Sequence, residues 1–127
     1  MRRLLVQTFV SLDGVMQSPG APQEDSGGGF SLGGWSVNYW DEAMAQAMAE
    51  ASDPYELLLG RRTYEILAAH WPHVTGDPVA DQLNRAPKHV ASRTLTRVEW
   101  SNATLIAGDV AEYVAQLKHQ DGPEIQV

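Results

Sequence analysis

Leu57-Leu58-Leu59-Gly60-Arg61-Arg62-Thr63-Tyr64-Glu65 reads as a buried strand that runs through a glycine turn into two arginines and the start of a helix. The glycine lets backbone approach closely, and the helix start offers free N–H groups and a partial positive charge. The whole chain has only nine Lys and Arg against sixteen Asp and Glu. Two adjacent arginines at this junction therefore point to a bound anion, either a cofactor or an anionic substrate.

Working outward from that junction, strands and helices alternate. Residues 4 to 12 are apolar and β-branched and read as a first strand covered on both faces. Asp13-Gly14 then marks a turn. Residues 17 to 37 hold Pro19, Gly20, Pro22, Gly27-Gly28-Gly29 and Gly33-Gly34 and have no periodicity. A stretch of that length is either a functional lid or disorder. A helix is expected from Asn38, as its cap, to Ala51, with Ala43, Met44, Ala47, Met48 and Ala51 on a core face. Asp53-Pro54 breaks it, and Glu56 to Leu59 form the second strand. The next helix covers Arg62 to His70 and stops before Trp71-Pro72. Asp77-Pro78 opens another, which turns Val79, Leu83 and Ala86 inward. Strands follow at Lys88 to Ala91 and Thr104 to Ala107. Asp109 and Glu112 form a cap-and-reach pair for a helix over Val110 to His119, Gly122-Pro123 stops it, and Glu124 to Val127 alternate as a last strand. This order predicts one domain of α/β class with a mainly parallel sheet flanked by helices.

Bulk properties narrow the function classes. A length of 127 residues suits one domain with one modest core. A net charge of −7 argues against nucleic acid or an anionic membrane as partner. No apolar run approaches the roughly 20 residues that span a bilayer. The start Met1-Arg2-Arg3-Leu4-Leu5-Val6 faintly mimics a signal peptide, but Gln7 and Thr8 interrupt its apolar run and no small-residue cleavage site follows. With no cysteine there is no disulfide, thiolate catalysis or Cys-ligated metal, which fits a cytoplasmic protein.

Ligands of parallel sheets bind beyond the carboxyl ends of the strands. Four features fall there: Asp13-Gly14, Gly60-Arg61-Arg62-Thr63, Ser92-Arg93-Thr94 and Gly108-Asp109. Two of these set arginine beside a hydroxyl residue. Arginines can simply pair with carboxylates at strand ends, but two such sites on successive strands favour an anion, and the guanidinium fork suits phosphate. Asp13 has a plain role as a turn residue, and Asp41 as a first-turn carboxylate favoured by the helix dipole. A carboxylate just past a flexible lid could also grip the ring N–H groups of a heterocycle. His70-Trp71-Pro72-His73 lacks an acidic neighbour and makes a poor metal site, so no metal is expected. His89 in a strand and His119 at a helix end have adequate structural roles. No P-loop, Gly-x-Gly-x-x-Gly or Ser-His-Asp pattern is present.

In order and spacing, Val10-Ser11-Leu12-Asp13-Gly14, Gly33-Gly34-Trp35, Leu58-Leu59-Gly60-Arg61-Arg62-Thr63-Tyr64-Glu65 and Lys88-His89-Val90-Ala91-Ser92-Arg93-Thr94-Leu95 resemble the dihydrofolate-reductase-like superfamily. The nearest branch is the group related to the reductase domain of the riboflavin-biosynthesis deaminase–reductase. The resemblance covers essentially the whole chain and implies an NADPH-dependent reductase acting on a small heterocycle or sugar-linked pyrimidine, with a pteridine as second choice. A cofactor-holding or dimerising module without chemistry is the rival. By position the resemblance implies Arg61 on the adenosine 2′-phosphate, flanked by Ser92 and Arg93. It likewise implies Gly60, Arg62 and Thr63 at the helix start that receives the cofactor diphosphate. Asp13 matches the segment that closes over nicotinamide and substrate, and Asp41 lies nearest the pterin-gripping carboxylate, with Glu42 as its rival. A homodimer is expected. In that family the strand matching Glu124 to Val127 runs into a glycine-rich loop, a helix and further strands, so the chain is expected to lack the C-terminal strands and to leave an interior strand at a sheet edge.

Overall fold

The computed structural model describes residues 1–50 and 54–127. The chain forms two compact units, one of Met1–Val6 with the described residues of Ser52–Val127, the other of the described residues of Gln7–Ala51.

The first unit holds a five-stranded, all-parallel sheet in the order β1-β5-β2-β3-β4. Its strands are β1 (Leu4–Leu5), β2 (Tyr55–Gly60), β3 (Lys88–Ala91), β4 (Ala103–Leu105) and β5 (Glu124–Gln126). Three helices flank it: α2 (Arg61–His70), α3 (Pro78–Arg85) and α4 (Val110–His119). The α/β class and the parallel sheet expected from the alternating pattern are what the chain forms. Leu57 pairs with Lys88, Leu58 with His89 and Leu59 with Val90, so the register sets alternate residues on opposite faces. Tyr55, Leu57, Leu59 and Val90 share a core with Tyr64 of α2, Ala86 after α3, and Trp100. Glu56 and His89 lie on the other face, where Tyr113 of α4 meets His89.

Lys88 is fully buried on the core face. Its ammonium donates to the carbonyls of Ala86 at 2.7 Å, Ser101 at 3.0 Å and Asn84 at 3.3 Å, and lies 4.2 Å from the centre of a Trp100 ring. A buried cation needs such partners, and backbone oxygens with a π face supply them. Burial still pulls its pKa down to about 8.

Several expectations change. The first strand stops at Leu5, because β5 pairs with it only through Ile125 and Gln126, and from Val6 onward it has no ladder partner among the described residues. Val6, Val10 and Leu12 are exposed. β5 is no edge strand, since it lies between β1 and β2 and pairs with both; the edges are β1 and β4. Val79 faces solvent, and α3 buries Ala80 instead. Glu112 does not reach back to the start of α4. Its backbone N–H donates to Asp109, and its side chain accepts from Gln116.

In the second unit, α1 spans Glu42–Glu50. Its cap is Asp41 rather than Asn38, which lies in a short 3₁₀ turn over Val37–Tyr39. The Asp41 carboxylate accepts from the Met44 N–H at 2.9 Å. Ala43, Met44, Ala47 and Met48 are exposed, contrary to the expected core face; Ala51 and Asp53 lie outside the described residues. The glycine-rich stretch is tied together by its own polar groups. Ser18 is buried; its hydroxyl donates to Ala21 O and accepts from Asp25 N–H, while its carbonyl accepts from Gly34 N–H. A Cβ on Gly33 would come within 2.6 Å of the Pro22 carbonyl oxygen, so only glycine fits there.

Candidate functional site

Beyond the carboxyl ends of β2, β3 and β4 opens a cleft of about 650 Å³. Its walls come from Arg61, from the turn Ala91-Ser92-Arg93-Thr94, and from Ile106 and Gly108-Asp109-Val110-Ala111. Each wall follows from local chemistry. Gly60 caps α2 in an extended conformation with no side chain to occupy the first N–H groups, and no acidic residue lies in the first turn. The Ser92 hydroxyl accepts from the N–H groups of Thr94 at 3.1 Å and Leu95 at 3.0 Å, closing a tight turn with exposed Arg93 inside it. On the far wall Asp109 caps α4 by accepting from Glu112 N–H at 2.9 Å.

Of the residues expected to hold a cofactor, Arg61, Ser92 and Arg93 line this one cleft. Gly60, Arg62 and Thr63 belong to the same helix start but are not in its lining. The two guanidiniums differ in their commitments. Arg61 meets both carboxylate oxygens of Glu65, at 3.3 and 3.4 Å, across one turn of helix, whereas Arg93 has no ion-pair partner among the described residues. Two arginines, a helix start without a side-chain cap and a cleft of this volume fit an anionic, phosphate-bearing cofactor.

Asp13 and Asp41 belong to the second unit. Asp13 is fully exposed, and the Ser11 hydroxyl, donating to it at 2.5 Å, holds its carboxyl below the usual range. Asp41 is engaged as the cap of α1. Among the described residues no cluster of three or more His, Cys, Asp or Glu could hold a metal. No described helix is long and apolar enough to cross a membrane.

A polar centre that the sequence reading treated as ordinary structure lies on the α4 face of the sheet. The Glu56 carboxylate meets Arg2 Nη2 at 2.9 Å and His89 Nε2 at 2.9 Å, and His89 Nδ1 meets the Tyr113 hydroxyl at 2.8 Å. The Arg2 side chain is only 4% exposed. Its Nε donates to Pro123 O, while Nη2 approaches Glu56 as an ion pair without the alignment of a hydrogen bond. Burial pushes the Glu56 carboxyl up, but His89 and Arg2 together outweigh it and hold the group below its ordinary value. Because that carboxylate only accepts, His89 carries its proton on Nε2 when neutral, and Nδ1 accepts from Tyr113. The signal was present in the sequence as Glu56 in an otherwise apolar strand and His89 in the strand that follows.

A second cleft of about 790 Å³ lies on the core side, where Tyr64, Glu65, His73, Arg97 and Trp100 are among its walls; Thr94 lines both clefts. No curated protein matches the chain. The family model described as the RibD C-terminal domain matches residues 2–126, nearly the whole length. With an all-parallel sheet and the Gly60-Arg61 and Ser92-Arg93 junctions side by side at its carboxyl edge, the chain belongs to the RibD C-terminal domain family.

Proposed function

We propose that this chain is an NADPH-dependent reductase domain whose substrate is a small heterocycle of riboflavin-pathway type, a sugar-linked aminopyrimidine. Membership of the RibD C-terminal domain family supports the reaction class. The observation that carries the cofactor reading is the convergence of Arg61, Ser92 and Arg93 on one cleft at the carboxyl edge of the sheet. Arg61 and Arg93 would take the adenosine 2′-phosphate, with Ser92 shaping the turn beside it. The glycine-capped start of α2, with Arg62 and Thr63, would receive the diphosphate. NADPH, when bound, supplies the hydride, and the protein supplies orientation and exclusion of water. Asp13 and Asp41 are the carboxylates proposed for the substrate side, and Asp41 must combine that role with capping α1. A cytoplasmic homodimer completes the reading. The engagement of Asp41 as a cap favours one alternative, a cofactor-holding module without turnover.

Titration of wild type, Arg61→Ala and Arg93→Ala with NADPH and NADH tests the site. Each substitution removes one charge-assisted contact and should weaken NADPH by about 1.5–3 kcal/mol, roughly ten- to a hundredfold, while leaving NADH nearly unchanged. Equal losses for both cofactors would remove the 2′-phosphate assignment. NADPH oxidation across a panel of pyrimidines and pteridines separates reductase from module, since binding without turnover leaves only the latter.

A further inference from the structure

We propose that Glu65 sets how strongly this cleft selects a 2′-phosphorylated adenosine, by competing with the phosphate for the Arg61 guanidinium. The inference rests on the cofactor reading above and assigns a role to a residue outside the cleft lining. Arg61 is the one arginine of the pair already engaged, through Glu65 four residues on. That engagement is built to be weak. The Nη1 to carboxylate distances of 3.3 and 3.4 Å lie at the long end for a charged hydrogen bond. Both side chains are close to half exposed, at 43% and 45%, so water screens the attraction. The order is also the poorer one for a helix, with the cation nearer the N-terminus and the anion after it. A phosphate arriving at Arg61 therefore displaces a loosely held carboxylate. Glu65 borders the second cleft, which gives a released carboxylate an open, solvated place. Arg93 has no such competitor among the described residues, so the two arginines divide the work: one is constantly available and the other is released only to a ligand that outbids a carboxylate.

Calorimetric titration with adenosine 2′,5′-bisphosphate and adenosine 5′-monophosphate reads this without turnover. Glu65→Gln should tighten the bisphosphate by roughly 1.5- to 2.5-fold and leave the monophosphate unchanged, the range expected for an exposed i,i+4 pair. In an Arg61→Ala background the same substitution should have no effect, because the cycle then lacks the contested group. Glu65→Asp keeps the charge but is one methylene shorter, so it should reproduce most of the gain, which a general field effect could not. Tightening that persists without Arg61, or no tightening in either Glu65 variant while wild type still prefers the bisphosphate, overturns the competition and leaves the cofactor reading intact. A wild type that binds both fragments equally overturns that reading and this inference with it. Thermal melts of each variant confirm that the exposed substitutions leave the fold unchanged.

Discussion

Helices α2 and α4 both start at the edge of the same cleft, yet their first turns are built on opposite rules. α4 follows the rules for a stable helix at both ends: Asp109 as cap and Glu112 in the first turn, with Lys118 and His119 in the last. α2 has a glycine cap with no side-chain bond, no acid in its first turn, and Arg61 and Arg62 where the helix dipole is already positive. One start is specified by the helix it begins; the other keeps its first N–H groups free of side chains, as the proposed cofactor site requires. Glu65 offsets Arg61 only loosely from one turn on, and a helix start that departs from the local rules in this way is a common mark of a functional position.

The largest effect should come from the side where structure rules. Tyr113 fastens α4 to the sheet through His89, Glu56 and Arg2. Glu56→Gln leaves the Arg2 guanidinium, nearly all buried, without its countercharge, and should cost about 3 kcal/mol or more in chemical denaturation. The pH dependence has a definite sign. The Glu56 carboxyl is held below its ordinary value of 4.5, so its contribution is full above about pH 4.5 and fades as pH falls through the lowered folded value. Wild type should therefore lose stability relative to Glu56→Gln on acidification in that window. A constant gap between them down to pH 3 would show that the quartet does not hold α4.

Next comes a substitution that makes α2 imitate α4. Gly60 has extended φ and ψ of −70° and 160°, and a Cβ there would meet nothing within 4 Å. Gly60→Asp should fit without strain and supply the missing cap, raising stability by a few tenths to about 1 kcal/mol. The same carboxylate would occupy the N–H groups proposed for the diphosphate and weaken NADPH and NADH alike by about tenfold or more. Gain of stability with loss of both cofactors is the signature of a start reserved for an anion. If binding survives intact, the glycine is only a turn residue.

How much of this could be read in the sequence follows from the range of the interactions. The β2–α2 junction, the Asp77 and Asp109 caps and the strand over Lys88–Ala91 are set by neighbours in the chain, and they form as the residue pattern implies. The strand expected over residues 4 to 12 fails beyond Leu5, because pairing depends on a partner 121 residues away in β5. Glu56 and His89 stand out as polar strand residues, but that they meet each other, Arg2 and Tyr113 could not be read for the same reason, since the four come from β1's approach, β2, β3 and α4. That Arg61, Ser92 and Arg93 fall at the carboxyl edge of the sheet was readable, because hydroxyls and arginines at strand ends are local signals. The far wall at Gly108–Ala111 showed only as one more strand end. Gly108-Asp109 reads as a strand end where ligands bind, but nothing in the residue pattern says that Asp109 lines the same cleft as Arg61 and Arg93 while capping α4.

A smaller effect should follow from weakening the other start. Asp109→Ala removes the bond to Glu112 N–H and should cost about 1 kcal/mol, or roughly 3–6 °C in a melt of a chain this size. Its carboxylate borders the cleft without offering an anion anything but repulsion, so NADPH affinity should hold or improve slightly. A large loss of NADPH would mean that the α4 start is also specified by the ligand, and the contrast between the two walls would collapse.

The smallest expected effect is the most telling about α2. Arg61→Ala removes the pair with Glu65, worth about 0.3–0.5 kcal/mol at this exposure. It also removes a cation from the positive end of the helix, which should return a similar few tenths, and alanine is the best helix former. The two terms oppose each other and nearly cancel, so denaturant melts of Arg61→Ala should overlay wild type or move slightly toward greater stability. The same substitution is expected to cost ten- to a hundredfold in NADPH. An arginine whose loss the fold does not register but the cofactor does is retained for the ligand. Should the variant instead lose 1 kcal/mol or more of stability, Arg61 would be supporting α2 much as Asp109 supports α4, and the first turn would need no anion to explain it.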